Sequence, residues 1–450
     1  LVRSITEGRG GTFRVRPAPE QEQELVVEAV GSALGAGRSS LVIVPEAQPI
    51  PATAGAIVEA FGDRVGLFLG GDKRGRYRMW LDIRAGRYDV VVGTRPAVFA
   101  PVRDLGLVWL AREGHALHRE ERSPSFHVRD VAARRSAVAG AVFVMSAFCH
   151  TVEASLLDAV DVSPEGRAWP PVEVVRPGPE GRAPRLVAAL KEVGRAFLYE
   201  PLPGAGVAQL CKACGEPAAC AECGGMLRLE GGRVACVVCE AAGRCAHCGG
   251  TEFGIARGGA ERVEAWVRRL VDVPVRRGDT LEPEGMTVGG AETVKEVPPP
   301  GLDLVGILDA DLAARRPGLS AMERSLALWM DAASWAAPKG RVIVQTRRPS
   351  DPATQALVQG TPTRFHRAEL ARRAEAGFPV GHPVFRVSGK PELVGELRAL
   401  EPVHLLETSL GEERVCLVTV RPDRLLELGR VLRSLAVSGT VIRVEAEPHL

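Results

Sequence analysis

Short apolar runs alternate with stretches of helical periodicity over the first third of the chain. Leu41-Val-Ile-Val44, Val65-Gly-Leu-Phe-Leu69, Asp89-Val-Val-Val92, Leu105-Gly-Leu-Val-Trp-Leu110 and Ala141-Val-Phe-Val-Met145 read as buried strands. Helical patterns lie near 21–34, 51–61, 73–85, 127–139 and 151–159. Strands apolar on both faces, separated by helices, predict a parallel sheet covered on both sides. A Pro/Gly-rich stretch, 163–184, reads as a linker. A second α/β unit begins near Leu186 and resumes later, with strands Leu302–Leu308 and Arg341–Thr346 around a helix at 320–335. After residue 380, the strand patterns Val384–Val387, Val415–Val420 and Val441–Val444, with a helix over 422–434, predict a small α+β domain.

Composition changes this picture in one place. The 450 residues are 46% apolar and 25% charged with a formal net charge of +2, so the chain is not a polybasic nucleic-acid wrapper, although local patches remain open. No apolar run approaches the roughly 20 residues of a membrane span, and none near the start suits a signal peptide. Eight of the ten cysteines form Cys211-x2-Cys214, Cys220-x2-Cys223, Cys236-x2-Cys239 and Cys245-x2-Cys248, with gaps of five, twelve and five residues. A CxxC turn offers two thiolates to one ion, and Zn²⁺ takes four in a tetrahedron, so four pairs predict two closed structural sites. A disulfide framework, a redox pair and iron–sulfur ligation are the competing readings; the first lacks a secretory segment and the second needs only one pair.

The spacing leaves the pairing open. Neighbouring pairs close sequentially, or the outer pairs (Cys211, Cys214, Cys245, Cys248) share one ion around an inner site (Cys220, Cys223, Cys236, Cys239). The Gly-rich Cys223-Gly224-Gly225 and Cys248-Gly249-Gly250 knuckles supply permissive backbone. Between Ala205 and Ala260, Lys212, Arg228, Arg233, Arg244 and Arg257 balance five Glu, with Phe253 the sole aromatic. A module that grips phosphates or stacks bases would carry more of both, so this block reads as a folding unit or a protein-contact surface. Cys149 and Cys416 sit in apolar surroundings as core residues.

Two tandem α/β units suggest a nucleotide-driven motor, which needs a phosphate site. No Gly-x4-Gly-Lys-[Ser/Thr] loop occurs; Gly8–Thr12 and Gly35–Ser39 lack the Lys and the spacing, and Gly389-Lys390 runs into Pro391. A strand-terminal Asp for Mg²⁺ is also missing, since Leu110 runs into Ala111-Arg112-Glu113-Gly114.

Several strings occur together in a telling order: Leu41-Val-Ile-Val-Pro-Glu46, Val90-Val-Val-Gly-Thr-Arg-Pro-Ala-Val-Phe-Ala-Pro101, Phe126-His-Val-Arg-Asp130, the cysteine block, Glu261-Arg262-Val263-Glu264, Leu304-Val-Gly-Ile-Leu-Asp-Ala-Asp311, Glu323-Arg324, Gln345-Thr346, Glu369–Arg373 with Gly377-Phe378-Pro379, and Val444–Pro448. In order and spacing they resemble the bacterial replication-restart PriA family, from about residue 25 onward. The resemblance implies a superfamily-two DNA helicase fold: two RecA-like lobes with parallel sheets, a two-zinc insertion with four cysteines per ion in the second lobe, and a small α+β C-terminal domain. It divides the chain into an N-terminal tail (1–24, the family's DNA-binding N-terminal domain being absent), lobe 1 (25–160), a linker (161–184), lobe 2 (185–206 and 260–350), the zinc insertion (207–259) and the C-terminal domain (351–450). Of the two pairings, the nested one is the expectation.

The family's catalytic motifs do not carry over. Its Asp-Glu-Glu-His box falls on Ala111–Gly114, its Ser-Ala-Thr-Pro motif on Ser146-Ala147-Phe148-Cys149, its Gly-Thr-Gln-Met motif on Gly289-Gly290-Ala291-Glu292, and its arginine fingers on Trp335 and Pro338. The pattern is similar to the helicase-deficient PriA branch of high-GC Gram-positive bacteria. The implied expectations are a chain that is not an enzyme, with no catalytic residues and ATP in doubt as a cofactor. It would act as a DNA-binding primosome-assembly factor at stalled or collapsed forks, cytoplasmic and nucleoid-associated, with forked DNA and other primosome proteins as partners and no membrane. The alternative is an ATP-dependent 3′–5′ DNA helicase with divergent nucleotide-binding motifs. Candidate DNA contacts are Arg74, Arg76, Arg78, Arg129, Arg134, Arg135, Arg364, Arg367, Arg372 and Arg373, each to be weighed against a solvated helix face paired with acids. His115, His118 and His127 lack metal-ligand spacing and read as surface or core histidines.

Overall fold

The computed structural model describes all residues except 18, 121, 123–124, 164–168, 179–180, 202–205, 217, 223, 231–232, 237–238, 257–258, 297–300, 316–317, 377, 379, 411–412 and 447–450. Cys223, Arg257, Gly377, Pro379 and Pro448 of the readings above therefore lie outside the described residues. The chain divides into two compact units, residues 1–16, 22–163 and 363–449 in one and residues 17–21 and 164–362 in the other.

In the first unit, α1 (Val2–Thr6) leads into β1 (Gly11–Val15), and α2 (Pro19–Gly35) carries the chain to β2 (Ser39–Ile43). Next come α3 (Ala52–Phe61), β3 (Val65–Phe68), α4 (Lys73–Ala85), β4 (Val90–Gly93) and β5 (Leu105–Ala111). A two-stranded ribbon, β6 (Arg119–Glu120) and β7 (Phe126–His127), precedes α5 (Val128–Ala139), β8 (Val142–Ser146), α6 (Val152–Ser155) and β9 (Val160–Val162). Seven strands form one sheet in the order β3-β4-β2-β5-β8-β1-β9, every pair parallel. Alternation along each strand divides the core in two. Val42, Trp109 and Val144 face one apolar cluster, and Ile43, Leu110 and Met145 face the other. Helix ends are set locally: Asp72 accepts from Gly75 N–H at 2.8 Å to cap α4, and Gly86 closes the helix in the left-handed region.

The second unit holds β10 (Val172–Val175), α7 (Pro184–Glu192) and β11 (Ala196–Tyr199). An insertion follows, with β12 (Gly206–Cys211), β13 (Leu227–Glu230), β14 (Arg233–Cys236) and β15 (Phe253–Ala256). The α/β order then resumes with α8 (Gly259–Arg268), β16 (Val275–Arg277), β17 (Met286–Gly289), β18 (Leu302–Ile307), α9 (Ala321–Ala333), β19 (Ala336–Gln345) and α10 (Pro352–Gln359). Its sheet runs β10-β19-β18-β11-β17-β16, again all parallel. The insertion folds as a separate antiparallel sheet, β14-β13-β12-β15.

The last segment begins with α11 (Thr363–Glu375) and continues through β20 (Val384–Gly389), α12 (Leu393–Arg398), β21 (His404–Leu410), β22 (Glu413–Thr419), α13 (Leu425–Val437) and β23 (Val441–Ala446). It makes an antiparallel sheet, β21-β22-β20-β23, under the two later helices. These residues group with the first unit. Ala446 N–H donates to Ser125 Oγ at 2.9 Å, and Arg119 Nη2 donates to the Ala446 carbonyl at 2.8 Å.

Four expectations differ from the structure. The stretch read as an N-terminal tail contains β1, which sits inside the sheet between β8 and β9. Phe13 and Val15 enter the core, and a strand of only two inward apolar residues is too short to stand out in a hydropathy pattern. The segment read as a linker contributes β10, an edge strand paired with β19, so its prolines flank a strand that needs few ladder bonds. The helix read over 151–159 stops at Ser155 and gives way to β9. Residues 352–362 group with the second unit rather than with the C-terminal sheet, because Trp169 Nε1 donates to the Leu357 carbonyl at 2.9 Å.

Leu110 is fully buried between the two helical layers. Leu110→Ala is expected to lower the unfolding free energy by about 2–5 kcal/mol in urea titration. Val138→Ala, at a position 74% exposed, changes it by less than about 0.5 kcal/mol.

Candidate functional site

The cysteine insertion is built from one turn used four times. In each, the residue four positions after the first Cys donates its N–H back to that Cys carbonyl: Gly215 to Cys211 at 2.9 Å, Gly224 to Cys220 at 2.8 Å, Glu240 to Cys236 at 3.1 Å and Gly249 to Cys245 at 2.8 Å. Each first Cys N–H donates in turn to the carbonyl five residues on, Glu216, Gly225, Ala241 and Gly250, at 2.9 Å. The fourth position needs positive φ, and Gly215, Gly224 and Gly249 supply it at 69–74°. Glu240 adopts the same conformation at φ 58°, uncommon in a non-glycine residue and held here within the closed turn.

The turns meet in the nested arrangement. The Sγ atoms of Cys211, Cys214, Cys245 and Cys248 lie within 4.8 Å of one another, as do those of Cys220, Cys236 and Cys239. Cys211–Cys248, Cys214–Cys245 and Cys220–Cys239 are separated by 3.6, 3.8 and 3.7 Å. A disulfide needs about 2.05 Å, whereas the edge of a tetrahedron with about 2.3 Å metal–sulfur bonds is roughly 3.8 Å. The described cysteines are unbridged. The donor set therefore fits zinc, in one cluster of four and one of three, and sequential pairing is not what the fold produces.

Charge makes the same point. The N–H groups of Cys214 and Ala213 bring Cys211 down to about 7. The Glu216 N–H favours the Cys214 thiolate, but burial and the neighbouring Cys248, Cys211 and Cys245 sulfurs push that thiol up to about 12. Four thiolates this close repel one another, and a cation must neutralise them for all to ionise. The two clusters are also joined. Cys220 and Cys245 form an antiparallel bridge, with Ala221 N–H to the Arg244 carbonyl and Ala246 N–H to the Ala219 carbonyl, both at 3.0 Å.

In the first unit, the four residues Ala111–Gly114 leave the end of β5. Arg112 takes φ 50°, and Glu113 buries its carboxylate completely. Arg129 Nη1 donates to it at 3.0 Å, and the Thr151 N–H and hydroxyl each donate at 2.8 Å. Its second oxygen lies 3.7 Å from His150 Nδ1. Burial alone would raise this carboxyl, but His150, Arg129 and His127 outweigh it and hold it well below the usual carboxylate range. His118 Nε2–H donates to the Ala111 carbonyl at 2.8 Å, and His366 Nε2–H to the His150 carbonyl at 2.8 Å. Burial pushes His115 down to about 2 and both His118 and His366 to about 4. His127 Nδ1 accepts from Arg129 N–H and caps α5. The three sequence-selected histidines are thus packing and capping groups. Glu113 was visible in the sequence as a lone acid, but its partners were not, because they lie on two other segments, the starts of α5 and α6.

The ten candidate arginines separate by what they touch. Arg129 is buried on Glu113, Arg135 donates to the Val98 and Ala100 carbonyls at 2.5 Å, and Arg372 and Arg373 bind Glu369, with Arg373 also on Glu153. These four serve the fold. Arg74, Arg76, Arg78, Arg134, Arg364 and Arg367 are exposed. Trp335, at an arginine-finger place of the resemblance, is buried edge-on against Phe197 at 5.1 Å. Cys149 and Cys416 are buried, as read from the sequence.

Two parallel α/β sheets, the second interrupted by a cysteine insertion, define the class: a two-sheet α/β protein with a candidate zinc module. The chain belongs to the PriA family of replication restart proteins. It is 30% identical to "Probable replication restart protein PriA" of Mycobacterium leprae, over 87% of this chain and 68% of the relative. It is 31% identical to "Replication restart protein PriA" of Treponema pallidum, over 79% of this chain and 60% of the relative. The chain thus spans roughly two thirds of the length of these curated relatives. Among solved structures, it is similar to the Mycobacterium smegmatis helicase Lhr bound to ssDNA and AMP-PNP, with a TM-score of 0.42 and 13% identity over 80% of this chain and 47% of that one. No family model matches the chain. Kinship with the PriA family along most of the chain overturns the expectation that the chain is not an enzyme.

Glu113, His115, His118 and His366 all have folded values below their ordinary ones of 4.5 and 6.5. Each contributes fully above its unfolded value and loses its contribution as pH falls. Unfolding free energy should therefore drop as pH is lowered from neutrality, at about 1.4 kcal/mol per pH unit for each buried histidine between roughly 6.5 and 4. His118→Gln should reduce that slope in urea titrations across the range; an unchanged slope would contradict the assignment.

Proposed function

We propose that this chain is a helicase-like, DNA-binding replication-restart factor that acts at stalled or collapsed forks and supports primosome assembly there. The observation that carries this reading is the nested four-turn cysteine insertion, set between β11 and α8 of the second parallel sheet in a chain of the PriA family. DNA is the partner that the relatives' role requires, and exposed arginines, rather than net charge, supply the electrostatics. Other primosome proteins are the natural partners of the insertion, whose basic and acidic side chains balance. We place its work in the cytoplasm, associated with the nucleoid. No described helix is long and apolar enough to cross a membrane.

Two zinc ions complete the proposal. Cys211, Cys214, Cys245 and Cys248 would hold one, and Cys220, Cys236 and Cys239 would hold the other together with Cys223. Bound zinc would supply charge neutralisation and closure of the insertion, a structural role with no open coordination position. The chain's own residues fix the thiol directions through the turn hydrogen bonds and the left-handed fourth positions.

Two measurements test this. Metal analysis of the purified chain should give two zinc per chain; one or none contradicts the site assignment. Binding to forked DNA should be salt-dependent, weakening by at least about tenfold between roughly 50 and 200 mM salt. Absence of salt-sensitive DNA binding would overturn the functional reading.

A further inference from the structure

Helix α4 is unusual among the helices of the first unit. It lies beside edge strand β3, and Ile83 is its one fully buried side chain. Met79 packs behind Ile83 on the same apolar cluster. At about 100° per residue, Lys73, Arg74, Tyr77, Arg78, Leu81 and Arg84 fall within one arc of roughly 140°. All six are exposed, Tyr77 at 63% and Leu81 at 40%. The helix's only acid, Asp82, lies off this arc and pairs with Arg87 at 3.0 Å. Among the described residues, Lys73, Arg74, Arg76 and Arg78 form no ion pair, in contrast to Arg129, Arg372 and Arg373. Arg84 stacks over Trp80 at 5.6 Å, so it too is held outward beside an aromatic ring.

A surface helix kept only for solubility would mix both signs of charge on its exposed face and would not present a tyrosine. This face has one sign, spans about 20 Å, and interleaves cations with an exposed aromatic. That is the chemistry that holds a single nucleic-acid strand: cations along the phosphates and a ring on which an unpaired base stacks. Duplex DNA offers the same phosphates but keeps its bases stacked inside, which would leave Tyr77 and Leu81 without a use.

We propose that the exposed face of α4 is a contact track for single-stranded DNA, with Lys73, Arg74, Arg78 and Arg84 on phosphates and Tyr77 stacked on a base. This rests on the DNA-binding reading above and adds to it a location and a strand type.

The test is fluorescence anisotropy with the full chain, a labelled oligo-dT of about 20 nucleotides, a forked DNA and a blunt duplex, each across a salt series. Arg74→Gln/Arg78→Gln should weaken oligo-dT binding by roughly tenfold and reduce the slope of log K against log salt by about 1.4. Tyr77→Ala should weaken it by roughly tenfold, while Tyr77→Phe stays near wild type. Arg430→Gln/Arg433→Gln, on exposed positions of α13, is the charge-matched control and should leave binding unchanged. Circular dichroism melts confirm that the variants fold. If wild type binds forked DNA and all α4 variants bind as it does, the track is refuted and the functional reading stands. If the arginine variant weakens duplex and oligo-dT alike and Tyr77→Ala changes nothing, the single-strand assignment is overturned. If wild type binds no DNA, both readings fall.

Discussion

Sulfur sits at the centre of the insertion. Among the described residues, Cys211, Cys220, Cys236 and Cys245 are buried together with Ala218, Leu227 and Phe253, and Val234 and Ala241 pack partly buried against them. Ordering a segment that runs from β12 to β15 costs conformational entropy that a small module must offset. Bringing sulfurs to within 3.6–3.8 Å worsens the balance unless their charges are neutralised. The insertion also interrupts the connection from β11 to α8, so its ends must return to the same sheet for the second lobe to close. Metal–thiolate bonding, which the four-sulfur and three-sulfur clusters could support, would satisfy all three requirements. In small zinc modules such bonding is worth about 10–16 kcal/mol. The bridge between Cys220 and Cys245 makes the two clusters one structural object.

In the first lobe the comparable constraint is a buried charge. Glu113 has no exposure and three donors from the chain, with a histidine beside it. Such a cluster is costly to bury and costly to break, because removing one partner strands the other. It joins the end of β5, the start of α5 and the start of α6, and His366 of α11 reaches the adjacent His150 carbonyl. The C-terminal segment is thereby tied to the first lobe through the same region that in the family resemblance carries nucleotide chemistry.

Much of this was legible before the structure. Apolar runs such as Val90–Val92 and Leu105–Leu110 became central strands because burial on both faces leaves no other pattern. The cysteine spacing announced two sites but could not choose between pairings, since sequence separation says nothing about which turns fold back to back. β1 and β10 were missed because short or edge strands bury too few residues to be distinguished from loops. Arginine was the least legible. Arg129 and Arg373 read like Arg74 and Arg78 in the sequence, and only their tertiary partners separate an internal ion pair from a surface cation. The non-enzyme expectation failed for another reason: lost motif letters are weaker evidence of class than kinship along most of the chain.

Closure of the insertion by metal–thiolate bonds is the feature on which the second unit depends most. Zinc-edge X-ray absorption on the purified chain measures this directly. The expected result is a shell of four sulfurs at about 2.3 Å with no lighter ligand. A shell containing nitrogen or oxygen, or sulfur–sulfur bonds in place of metal, would contradict it.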